Sequence, residues 1–233
     1  MDLAVRYNHY LRDQVLDWAK DKTRLLDFGA GNGRFAISLQ KRGFEIHAIE
    51  IDPDLRSMID LGGVIAHANL SDVSGEIFDG IYTLNVLEHI ENDEAILRQF
   101  HERLAPMGGL LIYVPAFTVL FSANDVRVGH VRRYRRTSLV AKLERAGFMV
   151  DQARYADCIG FFATLAYRIF GDPDGGLNPT MIRFYDRVLF PMSRAFDRIF
   201  EHFFGKNLLV LAHKPKSEQI LKNRGPKSAR PVA

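Results

Sequence analysis

Apolar and polar positions along the chain form two alternating patterns that predict strands and helices in turn. Short apolar runs of strand length are followed by segments whose apolar residues recur at helical spacing. The predicted strands are Arg24–Phe28, Phe44–Glu50, Val64–His67, Phe78–Leu84, Leu110–Val114, Phe148–Tyr155 and Asn207–Ala212. The predicted helices are one within residues 1–20, then Arg34–Arg42, Pro53–Leu61, Asp93–Leu104 and Thr137–Ala146. Strands that alternate with helices predict an α/β fold around a mainly parallel sheet.

A long segment, residues 156–206, separates the last two predicted strands. Its apolar and aromatic side chains recur at helical spacing, and its second half carries Arg183, Arg187, Arg194 and Arg198. The segment follows the carboxyl end of a strand, where ligands bind in such sheets, so we expect it beside a substrate pocket. Three interpretations stay open: a helical hairpin packed on the domain or on a second copy, a lid over an apolar substrate, or a face lying on a membrane.

The turn after the first predicted strand reads Asp-Phe-Gly-Ala-Gly-Asn-Gly over residues 27–33. Glycines let the backbone approach a ligand closely, and the helix that follows presents free N–H groups to it. The dinucleotide-binding fingerprint requires a third glycine where this chain has Arg34, while Gly33 comes one residue early. An acid at the strand end, Asp27, suits a ligand with a cationic ammonium group better than a pyrophosphate.

A second acid, Glu50, ends the second predicted strand about twenty residues after the first glycine, the spacing at which an acid accepts hydrogen bonds from a ribose diol. Asp52 and Pro53 then start the next helix. The alternative is that Glu50 only caps a surface turn. The turn and the acid together predict a ligand of the nucleoside type.

Three motifs give the chain a family resemblance. The D-x-G-x-G-x-G pattern at 27–33 resembles the first motif of the class I S-adenosylmethionine-dependent methyltransferases. Residues 78–90, FDGIYTLNVLEHI, resemble the fourth-strand motif of small-molecule methyltransferases. The D-x-x-x-G-H-x-R-R-Y segment at 125–134 and the opening RYNHY at 6–10 are similar to bacterial type-11 and type-12 methyltransferases. This resemblance implies a Rossmann-like, doubly wound seven-stranded sheet, mostly parallel with an antiparallel last strand, in one domain over residues 1–213.

The resemblance also implies which residues bind S-adenosylmethionine. Gly29, Gly31 and Asn85 would hold the methionine part, Glu50 the ribose hydroxyls, and Ile51 would pack on adenine. The full predicted cofactor set is Asp27, Gly29, Ala30, Gly31, Gly33, Glu50, Ile51, Asn69 and Asn85. Asn69 stands near the position where the family usually has an aspartate that contacts the adenine amine, and Asp72 is the alternative for that contact.

On the acceptor side, His89 follows the fourth strand and is either a general base or an orienting residue. Five arginines, His130 and Tyr134 lie within residues 127–136, which is unusual for a loop at the ligand side. We predict His89, His130 and Tyr134 as catalytic, and Tyr7, Arg132 and Arg133 as substrate-binding. The alternative is a charged surface loop whose arginine stems pack on the domain.

A divalent metal is a further question on this side. Ubiquinone-type O-methyltransferases carry acids and a histidine near the fourth strand that hold such an ion. Glu88 and His89 resemble these residues in type and in position. Two ligands do not establish a metal site, so no metal ligand is predicted.

Composition and charge indicate where in the cell the protein is expected and how its charge is distributed. No apolar run is long enough to span a membrane, no signal-peptide pattern opens the chain, and the single cysteine, Cys158, excludes an intramolecular disulfide. These features predict a cytoplasmic protein. Residues 214–233 hold six basic side chains and one acid, so this tail is +5 and the rest of the chain is −2. We expect a disordered basic tail that is more often solvated than bound to nucleic acid or lipid.

The function predicted is methyl transfer from S-adenosylmethionine, with oxygen as the favoured target, to a small-molecule or lipid-like acceptor by a monomer or homodimer. Nucleic acid is disfavoured as a partner, because Asn85 is not followed by the proline turn of adenine-amino methylases. Two alternatives belong to another class: a non-catalytic cofactor-binding regulator, or a scaffold at a membrane edge. An NAD enzyme is disfavoured by Arg34.

Overall fold

The computed structural model describes residues 3–216 and contains a seven-stranded sheet within that range. The strands are β1 (Arg24–Phe28), β2 (Glu45–Ile49), β3 (Ile65–His67), β4 (Phe78–Leu84), β5 (Leu104–Pro115), β6 (Met149–Ala156) and β7 (Asn207–His213). Their order in the sheet is β3-β2-β1-β4-β5-β7-β6. Only β7 runs antiparallel to its neighbours, β5 and β6. The predicted Rossmann-like fold with an antiparallel last strand is confirmed.

Helices cover both faces of this sheet. They are α1 (Val5–Trp18), α2 (Arg34–Gln40), α3 (Pro53–Leu61), α4 (Asp93–Arg103), α5 (Ala123–Arg127), α6 (Arg136–Arg145), α7 (Cys158–Phe170), α8 (Pro179–Phe184) and α9 (Phe190–Phe200). Side chains of α4 and α6, among them Phe100 and Leu139, pack on one face. Leu11, Leu39 and Ile59 of α1, α2 and α3 pack on the other. Successive side chains of a strand point to opposite faces, so both faces are buried.

The start of β5 differs from the prediction. The predicted strand starts at Leu110, whereas the observed strand already begins at Leu104 and includes the pair Gly108-Gly109. Leu104 pairs with Phe78, and the register shifts before Gly109 pairs with Gly80. The early part of β5 is therefore a strand with an irregularity, held by pairing with remote segments that local sequence does not reveal.

Helix α1 is fixed at both ends, and its first turn reaches the carboxyl edge of the sheet. Near its end, Trp18 fills the hollow over Gly80, where a Cβ would lie 2.6 Å from the indole. Near its start, the Tyr7 ring packs edge-on against Tyr113 at 6.1 Å and against Phe190 at 5.5 Å between ring centroids. Residue 7 is thus held where ligands of parallel sheets bind.

Helices α7, α8 and α9 form the segment between β6 and β7. A π-helical turn, Tyr185–Leu189, joins α8 to α9, so residues 179–200 form one continuous helical stretch. The Asp197 carboxylate accepts hydrogen bonds from the backbone N–H groups of Asp157 at 3.0 Å and Cys158 at 2.9 Å, which caps the start of α7. Among residues 3–216, no helix is both long and apolar enough to cross a bilayer. Most of the predicted basic tail, residues 217–233, lies outside the described residues.

Asp186 joins this segment to α1. Its carboxylate accepts hydrogen bonds from the backbone N–H groups of Arg6 and Tyr7, both at 2.9 Å. These N–H groups belong to the first turn of α1, where no intrahelical acceptor is available. Asp186 therefore caps a helix about 180 residues earlier in the chain.

We predict that Asp186→Ala lowers the free energy of unfolding by about 0.5–2 kcal/mol, the cost of losing a helix cap. Urea denaturation followed by circular dichroism measures this change. The matched control is Asp174→Ala, an exposed acid of the same segment, which should change stability little. Equal effects of the two substitutions would contradict the capping role.

Candidate active site

The turn between β1 and α2 is shaped by its three glycines, each in a different way. The backbone N–H groups of Gly29 and Ala30 donate to the Ile49 carbonyl at 2.9 and 3.0 Å, which ties the turn to β2. A Cβ at Gly29 would lie 2.3 Å from Val86. Close packing therefore requires a glycine at position 29. Ala30 contributes its backbone N–H to the same pair of hydrogen bonds.

Gly33 and Gly31 both have positive φ angles, of 73° and 57°, but their surroundings differ. A Cβ at Gly33 would lie 2.7 Å from Ile59, so this glycine allows α2 to pack on α3. A Cβ at Gly31 would meet no atom within 4 Å. Gly31 is the glycine of the turn whose backbone faces open space, and it is the one available to a ligand.

Glu50 holds the turn from the end of β2. Its carboxylate accepts hydrogen bonds from the backbone N–H groups of Gly31 at 2.7 Å and Asp52 at 3.0 Å. Ile51, next in the chain, is 81% exposed and offers an apolar surface beside the carboxylate. These positions match those predicted for the ribose and adenine contacts, which stay predictions.

Asp27 lies below the turn and is almost fully buried. The Tyr82 hydroxyl donates to its carboxylate at 2.8 Å. Burial raises the pKa of Asp27 to about 7, the Tyr82 hydrogen bond opposes that rise, and the nearby Glu50 adds to it. Near neutral pH the group therefore sits close to its midpoint, where a cation would shift it to the charged form.

Asn85, at the end of β4, supplies an unpaired donor beside the turn. Its φ of 56° is unusual for a side-chain-bearing residue, and its backbone N–H donates to the Tyr113 carbonyl at 2.7 Å. Within residues 3–216 the buried Asn85 Nδ2 meets no acceptor at hydrogen-bond geometry, although the Tyr7 hydroxyl is its neighbour. A buried donor without a partner is costly, so this one fits an acceptor on a bound ligand.

Tyr7 faces the same place. Burial raises the pKa of the Tyr7 hydroxyl, and the neighbouring Asn85 and Tyr113 side chains partly offset that rise. The hydroxyl is therefore neutral and lies beside Asn85. The fold therefore brings the Tyr7 side chain to the candidate site. Its role in substrate binding stays a prediction.

Asn69, predicted near the adenine, is exposed after β3. The alternative residue, Asp72, accepts a hydrogen bond from the Asn69 backbone N–H at 2.9 Å, so its carboxylate already caps a short 3₁₀ helix. The Asn69 side chain belongs to the same capping box, so its adenine contact stays a prediction.

Glu88, His89 and His130 form a cluster on the acceptor side. Each residue offers one ligand atom, and these atoms all lie within 4.8 Å of one another. Glu88 and His89 belong to the 3₁₀ turn Leu87–His89, which follows Asn85 directly. The two imidazole rings meet edge-on at 4.7 Å between centroids. The structure therefore brings His89 and His130, both predicted as site residues, to one location. Their catalytic roles stay predictions.

Both imidazoles are oriented through their Nδ1 atoms. His130 Nδ1 lies 2.7 Å from Asp125 Oδ1, and His89 Nδ1 lies 3.1 Å from the Gly129 carbonyl oxygen. Since these oxygens only accept, each Nδ1 carries a proton, and Nε2 is the atom of each ring that can act as a base. Burial and the neighbouring His130 lower the pKa of His89, which keeps that ring neutral at pH 7.

Glu88 is buried beside these rings, and neither of its carboxyl oxygens has a hydrogen-bond partner among the residues that the structure describes. Burial raises the pKa of Glu88 to about 8, its backbone hydrogen bond and Arg133 oppose that rise, and Asp125 adds to it. His130 Nε2 lies 3.7 Å from Glu88 Oε1. A carboxyl in this position is satisfied either by a proton or by a cation.

The loop residues predicted with His130 have other partners. Arg133 makes two bonds to Asp125, at 2.8 and 3.0 Å, and is almost fully buried. Arg132 pairs with Asp93 at 2.9 Å and donates to a backbone carbonyl. The substrate-binding role of Arg132 and Arg133 stays a prediction, on side chains whose charges already have carboxylate partners.

Tyr134, predicted as catalytic, also has a partner inside the protein, and its catalytic role stays a prediction. It is 2% exposed, and its hydroxyl donates to Asp93 Oδ2 at 2.7 Å. Burial, together with the Asp93 carboxylate, raises the pKa of Tyr134, so the hydroxyl keeps its proton. Sequence reasoning assigned no role to the residue that matters most here, Asp125. Its signal was the position five residues before His130.

Comparison with known proteins agrees with this geometry. Residues 4–153 match the family model described as "Methyltransferase domain". The chain is 28% identical over 119 residues to a ubiquinone biosynthesis O-methyltransferase of Xanthomonas oryzae pv. oryzae, covering 45% of this chain and 50% of the relative. The chain thus spans about half the length of the curated relatives it matches.

Two solved structures show the same fold. A SAM-dependent methyltransferase from Archaeoglobus fulgidus has a TM-score of 0.57 at 16% identity, covering 87% of this chain and 94% of that one. The [4+2]-cyclase SpnF has a TM-score of 0.57 at 17% identity, covering 87% and 80%. At these identities the likeness concerns the fold alone.

A parallel sheet with an open glycine turn, a carboxylate on that turn and an unpaired amide beside it defines a nucleoside-cofactor domain. The chain belongs to the methyltransferase-domain family, and S-adenosylmethionine is the cofactor of that family. The family predicted from the sequence is confirmed.

We predict that S-adenosylmethionine binding near pH 7 releases a fraction of a proton from Asp27. An ammonium group beside this carboxyl lowers its pKa from about 7. Isothermal titration in buffers of different ionisation enthalpy measures the release. In Asp27→Asn the release should vanish, and a release unchanged in that variant would place the ammonium group elsewhere.

We predict that Glu88→Gln makes the ligand-free protein more stable than wild type, by an amount that increases as pH rises. The Glu88 pKa is about 8 in the folded protein against 4.5 in the unfolded chain, so the folded state alone keeps the proton between these values. Wild-type stability falls across that window by at most about 1.4 kcal/mol per pH unit.

The advantage of Glu88→Gln should therefore grow from pH 4.5 to about 8 and then level off. Urea denaturation at several pH values in chelator-treated buffer measures it. Glu144→Gln, an exposed carboxyl on α6, is the matched control. A Glu88→Gln advantage that does not change with pH would show that the carboxyl is not a buried neutral acid.

Proposed function

We propose that this protein transfers the methyl group of S-adenosylmethionine to a hydroxyl oxygen of a small-molecule or lipid-like acceptor, in the cytoplasm. The observation that carries the proposal is the pair of clustered imidazoles, His89 and His130, each held at Nδ1 by an oxygen so that Nε2 is its basic atom. Family membership supports methyl transfer, and the name of the Xanthomonas relative, an O-methyltransferase, supports oxygen as the target.

The cofactor-binding residues would divide the ligand between them. Gly31 and Asn85 would bind the methionine part, with Asp27 near its ammonium group. Glu50 would accept from the ribose hydroxyls. Ile51 and Asn69 would contact adenine. This assignment follows the open face of Gly31, the unpaired Asn85 Nδ2 and the exposed Ile51 surface.

When bound, S-adenosylmethionine supplies a methyl group on a positively charged sulfur. The protein then has to align the acceptor and remove one proton. Tyr7 and Asn85 would hold the acceptor side of the cleft, where their polar groups meet. An imidazole Nε2 would take the proton of the acceptor hydroxyl, and the bound cofactor would supply the methyl group to that oxygen.

His130 is the better placed of the two bases. Its Nδ1 faces the buried Asp125 carboxylate, which fixes the ring and stabilises the imidazolium that forms. Arg133 and Ser122 hold that carboxylate in turn. His89 faces only the Gly129 carbonyl, so we assign it the orientation of the acceptor.

A second arrangement is favoured by one observation, the partnerless Glu88 carboxyl. One carboxylate and two imidazoles, each tied through Nδ1 to an oxygen, make a donor set that fits a divalent cation. In that case Glu88 is ionised and the ion supplies the charge that lowers the acceptor pKa. The two arrangements use the same residues and differ in the state of Glu88.

We predict that His130→Ala lowers kcat by about 10²–10⁴-fold, the usual contribution of a general base. Transfer of labelled methyl groups to lipid and metabolite extracts gives the readout. Titration with S-adenosylmethionine should show cofactor affinity within about twofold of wild type. His89→Ala should lose less, and His202→Ala, an exposed histidine of the helical segment, should lose nothing.

Near-full turnover in both His130→Ala and His89→Ala would refute the base assignment. Chelator treatment and Glu88→Gln then separate the two arrangements. With a neutral Glu88, both should leave turnover near wild type. If both abolish turnover, and Mg²⁺ or Mn²⁺ restores it only in the chelated wild type, the cluster holds a cation.

A non-catalytic binder is the alternative from another class, and the SpnF likeness shows why it must be tested. That protein is titled a cyclase, so this fold does not by itself specify methyl transfer. Cofactor binding without transfer to any extract fraction would favour a regulator over an enzyme.

A further inference from the structure

The helical stretch 179–200 and the turn that follows it, residues 201–203, expose an apolar stripe along their outer side. Its members recur every three or four residues, as neighbours on one side of a helix do. They are Met181, Phe184, Val188, Met192, Phe196, Ile199 and Phe203, between 43% and 71% exposed. Large apolar side chains in a continuous row are unusual on a protein surface and mark an interaction site.

The inward side of the same stretch is mostly polar. Asp186, Ser193 and Asp197 are buried, and each accepts a hydrogen bond from a backbone N–H group of α1 or α7. The amphipathic helix is therefore turned so that its carboxylates face the protein. Its apolar side chains face out because the buried positions serve as helix caps.

Arginines flank the apolar stripe. Arg183, Arg187 and Arg198 are exposed, and none has an ion-pair partner within residues 3–216. The acids of the stretch are not available to them: Asp186 and Asp197 are buried, and Glu201 pairs with Arg154. The outer side therefore carries positive charge without compensating negative charge.

Two of these arginines also line a cleft of about 420 Å³ beside the stripe. The cleft is formed by Leu3, Val5, Arg6, Arg183, Asp186 and Arg187. Its one carboxylate, Asp186, is occupied by two backbone N–H groups. Three guanidinium groups around one opening favour a phosphate-bearing group.

We propose that this arginine-flanked apolar face binds the surface of an anionic lipid bilayer. A basic amphipathic helix with large apolar side chains lies in a bilayer interface, with its cations at the phosphates. Phe162 and Phe170 of α7 are also exposed and enlarge the apolar area. A second copy of the chain fits the face less well, because a twofold contact would bring the unpaired arginines together without acids.

The proposal goes beyond methyl transfer and does not rest on it. The full-length protein is mixed with vesicles of phosphatidylcholine alone, or of phosphatidylcholine with phosphatidylglycerol at 3:1, and the bound fraction is measured by flotation. We expect binding to the mixed vesicles that weakens with salt, and little binding to the neutral ones.

Arg187→Glu/Arg198→Glu should lower the partition coefficient by at least about 30-fold, since each lost basic group costs about fivefold. The matched control is Lys41→Glu/Arg98→Glu, which makes the same charge change at two exposed positions, one directly after α2 and one on α4. Phe196→Ser/Ile199→Ser tests the apolar stripe without any change in charge and should also weaken binding.

Three results would overturn the proposal. Wild type could fail to bind the mixed vesicles, or both charge-reversal pairs could weaken binding equally, which would show attraction by overall charge. Sedimentation could also show a dimer that Phe196→Ser/Ile199→Ser dissociates, which would assign the face to a second copy.

Discussion

The donor half of the site depends on one carboxylate at the end of β2. Glu50 accepts from Gly31 N–H and Asp52 N–H, and so fixes the glycine turn against the start of α3. Because β1 and β2 are parallel, their carboxyl ends meet at one edge, and the turn can only open there. Gly31 then faces free space, while Gly29 and Gly33 are held by packing.

This half could be predicted because its determinants are local. The bounds of β1, α3 and β4 agree with those predicted from apolar runs and helix-start signals. The predicted start of β5 was wrong because its determinants are remote in the sequence. Met107 N–H donates to the Lys214 carbonyl, a partner more than a hundred residues away, and no pattern around Gly108 reveals it.

The acceptor half shows the same limit more strongly. Arg133 and Tyr134 looked available in the sequence, yet two buried carboxylates, Asp125 and Asp93, engage them. A buried carboxylate without partners is costly, so the fold supplies cations and hydroxyls to it before any ligand does. Glu88 is the exception among the described residues, since neither of its buried carboxyl oxygens has a hydrogen-bond partner. This carboxyl is therefore the group of the cluster that can take up a proton or a cation.

The outward stripe of residues 179–203 could not be oriented from periodicity, because periodicity shows that a helix has an apolar side but not where that side points. The direction is decided by Asp186 and Asp197, which cap two other helices and must lie inside. Asp186 caps the turn of α1 that carries Tyr7, and Phe190 packs on that ring. The same hydrogen bonds that turn the apolar side outward therefore hold Tyr7 beside Asn85, so the exposed face and the candidate active site are two consequences of one contact.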